Sequence, residues 1–225
     1  MYGTERRISF LNGTVETIDE QNSSIDFAQV NDQIDSTLFY GTGKGSRFEI
    51  ISKTSIIRIG SLSFAKFISE SDVYIHSGSF LFCSKYKSTY LKISSRLSTA
   101  IFKGSGTFIV DCLENGGFKF IPLECDGTLS TDKYPNKKLI EGQLMLVVGS
   151  PSYLGNAYDI DLMLLLQSSR LINNFPSALT TFDQIGLAIY VQQLKLKGKY
   201  DALIGDAKTE KTLQIWGFGQ KPPDE

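Results

Sequence analysis

From residue 5 to about residue 150, short apolar runs alternate with turn residues at intervals of roughly 8–12 positions, and this spacing constrains the fold most. The runs are rich in Ile, Phe, Val, Tyr and Thr, and Gly, Ser, Asn and Asp separate them, as in chains of many short strands. They include Arg47-Phe48-Glu49-Ile50-Ile51, Ser55-Ile56-Ile57-Arg58-Ile59, Phe64-Ala65-Lys66-Phe67-Ile68 and Val73-Tyr74-Ile75. Ser79-Phe80-Leu81-Phe82, Tyr90-Leu91-Lys92-Ile93, Thr107-Phe108-Ile109-Val110, Gly117-Phe118-Lys119-Phe120-Ile121 and Gln143 to Val148 continue the series. Several alternate apolar with polar residues, as Phe48/Ile50 against Arg47/Glu49, so one face is expected on a core and the other in water. A sandwich, a roll or a barrel satisfies the spacing. Successive coils of a β-helix do too, and no strict repeat decides between them.

The pattern changes after Gly149-Ser150-Pro151. Ile160, Leu162 to Leu166, Leu171 and Ile172 predict a helix beginning near Asp159, whose charge suits a helix N-terminus. Asn173-Asn174-Phe175-Pro176 ends it. A second helix is expected from Thr181, with Gln184 three residues on as a capping box. Ile185, Leu187, Ala188, Val191, Leu194 and Leu196 form its partial apolar stripe, and Gly198 closes it. The two helices are expected to form a hairpin packed on the β domain. The tail is polar apart from Leu213-Gln214-Ile215-Trp216-Gly217-Phe218, which alternates like a strand and holds the single Trp.

The fold class expected is therefore mainly β. Many short strands form a β-roll, β-helix-like or sandwich domain, followed by a two-helix extension and a tail strand. The boundaries fall at 1–150 for the β domain (strands within 1–42 included), 151–198 for the helical hairpin and 199–225 for the tail, with its strand-like segment at 212–218.

The residues offer little for catalysis. The chain has one histidine, His76, before a turn at the end of a strand-like run, where solvent or a local hydrogen bond accounts for it. Triad and zinc schemes usually need more. Gly41-Thr42-Gly43-Lys44-Gly45-Ser46 lacks the spacing of a phosphate loop, and a strand follows it, so it reads as a turn. Gly104-Ser105-Gly106 is not a nucleophile elbow. Asp111/Glu114 and Asp159/Asp161 are carboxylate pairs, but nothing in the sequence places either in a cleft. No catalytic, cofactor-binding or metal-binding residue is assigned, and no cofactor is expected.

Partners are constrained by charge. The formal net charge is −1, and Lys195 to Lys199 sit where cations favour a helix C-terminus, so no nucleic acid is expected. The longest apolar run, Leu162 to Leu166, is far short of the roughly 20 residues that span a bilayer, so no membrane insertion by this chain is expected. The first residues, Met1 to Arg7, do not read as a signal peptide. Cys83, Cys112 and Cys125 sit in apolar runs and outside C-x-x-C spacing, which makes them small buried hydrophobes, with one bridge left open.

Five stretches in order resemble the FecR-domain family: Gly45-Ser46-Arg47-Phe48-Glu49-Ile50, Ser55 to Gly60, Ile75 to Leu81, Phe102 to Phe108, and Leu139-Ile140-Glu141-Gly142-Gln143 to Val147. Asp159-Ile160-Asp161 to Leu166, Ser168 to Ile172 and Phe175-Pro176 are similar to the segment that follows the domain in one bacterial branch. The resemblance covers roughly residues 40–195. It implies an extracytoplasmic β-rich domain, periplasmic or at the cell surface, without cofactor or catalytic residues. Signalling members of the family add a cytoplasmic segment and a membrane helix, neither of which is read in this chain. The expectation is a protein-binding or regulatory module at the bacterial cell surface. The alternative is a structural protein that self-assembles into a filament or layer by exchanging the tail strand, with Leu213, Ile215, Trp216 and Phe218 as contacts. Its partner is then a protein or copies of itself.

Overall fold

Period-two alternation broken by turns yields, in a computed structural model describing residues 6–201, 203–205 and 214–216, a chain dominated by strands. In chain order they are β1 (Arg7–Asn12), β2 (Val15–Asp19), β3 (Ser24–Phe27), β4 (Phe39–Thr42), β5 (Arg47–Ile51), β6 (Ile56–Ile59), β7 (Phe64–Ser69), β8 (Asp72–Ser77), β9 (Ser79–Ser84) and β10 (Tyr90–Ser94). The long hairpin β11 (Thr99–Cys112) and β12 (Phe118–Ser130) follows, then β13 (Lys137–Lys138), β14 (Gln143–Val148) and β15 (Tyr153–Asp159). The helices α1 (Leu162–Ser168), α2 (Arg170–Asn173) and α3 (Phe182–Leu196) precede a small pair, β16 (Leu203–Gly205) and β17 (Gln214–Trp216).

β11 organises the sheet. Thr99 to Lys103 pair with β10, and Gly106 to Asp111 pair with β9, so one strand serves two runs. One run is β9-β6-β5-β1 and the other β10-β8-β7-β4-β2-β3. The strand turns the corner at Gly104 and Gly106, with φ of 137° and 141°. A side chain there would strike the backbone of Asp126 and Gly127, or of Glu124 and Cys125, on β12. Only glycine adopts this backbone readily. The sheet curls until its far ends meet: the Ala28 amide donates to the Val15 carbonyl, then Ile8 exchanges bonds with Asn31 and Asp32 along the outer edge of β1. Among the described residues every strand pairing is antiparallel except β8 with β10. A β-helix of parallel coils is thereby ruled out in favour of a roll.

The roll encloses an aromatic core. Phe82, Phe102, Phe108 and Phe120 stack with ring centroids 4.5–6.5 Å apart, and Tyr40, Phe48 and Phe67 form a second group. Each such ring contributes roughly 1.5–3 kcal/mol by leaving water. Alternate residues on the same strands face outward: Leu81, Cys83, Ile109, Ile121, Leu123 and Leu144 meet Leu162, Leu165, Leu171, Ile172, Leu179, Ile185 and Ile189. The central strands are therefore covered on both faces, whereas the alternation predicts one face in water. The unbroken run Phe80-Leu81-Phe82-Cys83 carries that signal. All three cysteines are free.

Several local expectations are corrected. The helix expected to begin near Asp159 begins at Leu162, and Asp159 instead ends the strand β15, which pairs with the open edge of β14. Asp161 is the true cap, accepting from the amides of Met163 and Leu164. The apolar run that follows splits at Ser169 into α1 and α2. No capping box forms at Thr181, because its hydroxyl bonds Thr107 and Cys83 on the sheet instead. α3 ends in a left-handed turn through Lys197 and Gly198.

Candidate functional site

The elements that cover the outer face of the sheet are held by a buried polar clamp. Glu49 on β5 and Arg58 on β6 are register partners, 2% and 0% exposed. Arg58 Nε donates to Glu49 Oε2 at 2.9 Å. Its Nη1 donates to the carbonyls of Leu171 and Ile172 at 3.2 and 3.1 Å, and its Nη2 to the carbonyl of Ser177. Ser177 Oγ, at 2.9 Å from each Glu49 oxygen, and Ser9 Oγ, at 2.8 Å from Oε1, complete the carboxylate's partners. The Phe175 ring lies 4.6 Å from the guanidinium carbon. Beside it, Arg47 Nε donates to the Asn174 carbonyl at 2.7 Å. A planar, permanently charged fork is suited to hold several carbonyls and a carboxylate at once. Residues of β5, of β6 and of the segment around Phe175 thus converge on one joint.

That joint holds α2 and the segment that leads from it toward α3. The inner face of α3 buries Ile185 and Ile189 with Gln192, whose amide bridges the backbone of Ile160 and Leu162. The expected stripe is half wrong in direction: Leu187, Val191 and Leu194 point outward, 62%, 53% and 59% exposed, and Tyr190 joins them at 60%. α3 carries two apolar faces, and one has no cover among the described residues. Scattered exposed apolar residues are ordinary, but a contiguous row on one helix marks a contact surface.

A groove of about 340 Å³ runs along the flank of this row. Ile140, Leu187, Ala188 and Val191 give it apolar walls, and Lys195 and the acids Glu124, Glu141 and Asp159 lie on it. Burial, and then the neighbouring carboxylates of Glu141 and Asp126, push the Glu124 acid up. A second buried ion pair lies on β11 and β12, where Lys119 Nζ sits 2.6 Å from Asp111 Oδ2. Desolvation raises the Asp111 acid to about 6, with Lys119 opposing.

The other sequence candidates fall as follows. His76 is exposed, 3.3 Å from the Tyr74 hydroxyl. Gly43 to Ser46 form the turn between β4 and β5. Asp111 is committed to Lys119. Among the described residues no group of three or more His, Cys, Asp or Glu could hold a metal ion, and no helix is long and apolar enough to cross a membrane. Of the proposed tail contacts, Leu213 and Phe218 lie outside the described residues. The backbone of Ile215 and Trp216 belongs to β17, which pairs with β16 of the same chain. Sequence reasoning missed Tyr190, which completes the outward row three residues after Leu187 and four before Leu194.

No family model matches the chain, and no curated protein matches it. Two solved structures do, both described as a "putative anti-sigma factor" from Parabacteroides distasonis ATCC 8503. One is 9% identical with a TM-score of 0.43, the other 8% with 0.44, and each alignment covers 80% of this chain and 99% of that one.

Proposed function

We propose that this chain is a non-enzymatic, FecR-like protein-binding module with a regulatory role, working outside the cytoplasm at the bacterial cell surface, and that the outer face of α3 is its binding surface. The carrying observation is the exposed row Leu187, Tyr190, Val191 and Leu194 beside an open groove. The row stands on a rigid base, because the Glu49–Arg58 clamp and Gln192 anchor its surroundings. Binding of this kind needs no cofactor, and a net charge of −1 gives no basis for holding nucleic acid. The test is a photo-crosslinking residue placed at Tyr190 in the native cell, with Tyr86, 52% exposed, as the control position. A discrete polypeptide adduct from position 190 alone is expected, lost on Leu187→Glu. Equal adducts from both positions, or none, would refute the binding surface. Recovery of the protein solely in the cytosolic fraction would refute its location.

A second reading, assembly into a filament or layer, is supported by β3. All four of its residues are exposed, Ile25 and Phe27 by 63% and 59%, and among the described residues its only strand partner is β2. Such an edge accepts an added strand. Electron microscopy of the purified protein tests it: filaments are expected, and isolated particles would remove it.

A further inference from the structure

We infer that the outer face of α3 pairs with α3 of a second copy, antiparallel, about a two-fold axis close to Tyr190. This rests on the reading of α3 as the binding face and names its occupant.

The spacing comes first. Asp183, Leu187, Tyr190 and Leu194 follow one another at steps of four, three and four, which is one seam of a helix pair, and Lys197, which caps the helix in its left-handed turn, comes three residues later. All five are exposed. The seam is apolar in its centre and carries opposite charges at its ends. Direction follows from those ends. An antiparallel partner brings its Lys197 to Asp183, and two-fold symmetry repeats the contact. A parallel partner would stack acid on acid and lysine on lysine, which is unfavourable.

Gly186 supplies an independent observation. It lies in the second turn of α3, exposed, where glycine is a poor helix former. A Cβ there would meet nothing within 4 Å, so no neighbour among the described residues requires its small size. Pairing about Tyr190 lays the partner's Leu194 over this position. A missing side chain then lets the two backbones approach.

The size of the contact sets its strength. A helix of fifteen residues is about 22 Å long and roughly 10 Å wide, well short of the ~800 Å² per partner of a standard interface. The pairing is therefore reversible.

Sedimentation velocity of the full chain over a concentration series tests it. The weight-average mass should climb from one chain toward two, and Leu187→Glu should hold it at one with an unchanged melting curve. Asp183→Lys or Lys197→Asp alone should each weaken association about tenfold. Mixing these two variants should restore it, because each charge again meets its opposite. Aspartate suits position 197, where φ is 51°. A wild-type protein that stays monomeric at all concentrations overturns the inference, as does a mixture no stronger than its components. If the protein is monomeric yet position 190 still crosslinks to a different polypeptide, the binding face stands and only its occupant is wrong.

Discussion

Arg58 divides its guanidinium between Glu49 and the carbonyls of Leu171, Ile172 and Ser177. Replacing it by alanine leaves the buried Glu49 carboxyl without its cation and frees three carbonyls, so Arg58→Ala should cost ~3–5 kcal/mol in urea unfolding. Arg58→Lys should recover little of that, because one ammonium cannot reproduce the fork. An Arg58→Lys protein with a wild-type midpoint would show that charge alone matters. The sequence places Glu49 and Arg58 in strands, yet gives no hint of their role. Arg58 finds its carbonyl partners 113 to 119 residues away and Glu49 meets Ser177 at 128, and no local pattern encodes contacts at that separation. Alternation even points the wrong way for Glu49, since a charged residue between Phe48 and Ile50 reads as solvated. It is buried because a helical layer covers the face that an isolated roll would expose.

Among the elements, β11 shows most directly how local backbone decides the fold. Its corner depends on Gly104 and Gly106, where L-residues are strained and β12 leaves no room. Gly106→Ala should cost at least ~1–3 kcal/mol from backbone strain alone, with the clash against Glu124 and Cys125 added. Thermal unfolding followed by circular dichroism measures it, and a melting point within a degree or so of wild type would contradict the corner's role. Gly104-Ser105-Gly106 is visible in the sequence as a glycine pair, but a pair of glycines inside a strand run reads equally as a turn. α3 is the converse case. Its ends and length are legible from Thr181 and Gly198, while its orientation is not. Leu187, Val191 and Leu194 are as apolar as Ile185 and Ile189, so hydrophobicity cannot say which row faces the sheet. The buried Gln192 hides the inner row further by interrupting it with a polar residue.

At the scale of the molecule, two cores share one sheet, and the polar groups trapped between sheet and helices set how stability responds to pH. Asp111 is fully buried, with Oδ1 lacking a hydrogen-bond partner among the described residues. Its acid is raised from 3.8 to about 6, chiefly by desolvation, while the Lys119 ammonium works in the opposite sense. A raised carboxylate means that the folded state holds a proton which the unfolded chain has lost. The folded form is then favoured below the unfolded value, and the advantage disappears as pH rises through about 6. A shift of roughly two units corresponds to at most ~3 kcal/mol, and the short contact to Lys119 reduces what is realised. Asp111→Asn is uncharged at every pH, so any cost of leaving Lys119 without a carboxylate enters as a constant offset. The variant should gain on the wild type as pH climbs from about 4 to about 7, with most of the change between the two acid values. Denaturant unfolding of both proteins across that range measures the difference. Parallel stability curves would mean that Asp111 ionises in the fold as readily as in the unfolded chain, and that the Lys119 contact fully offsets its burial.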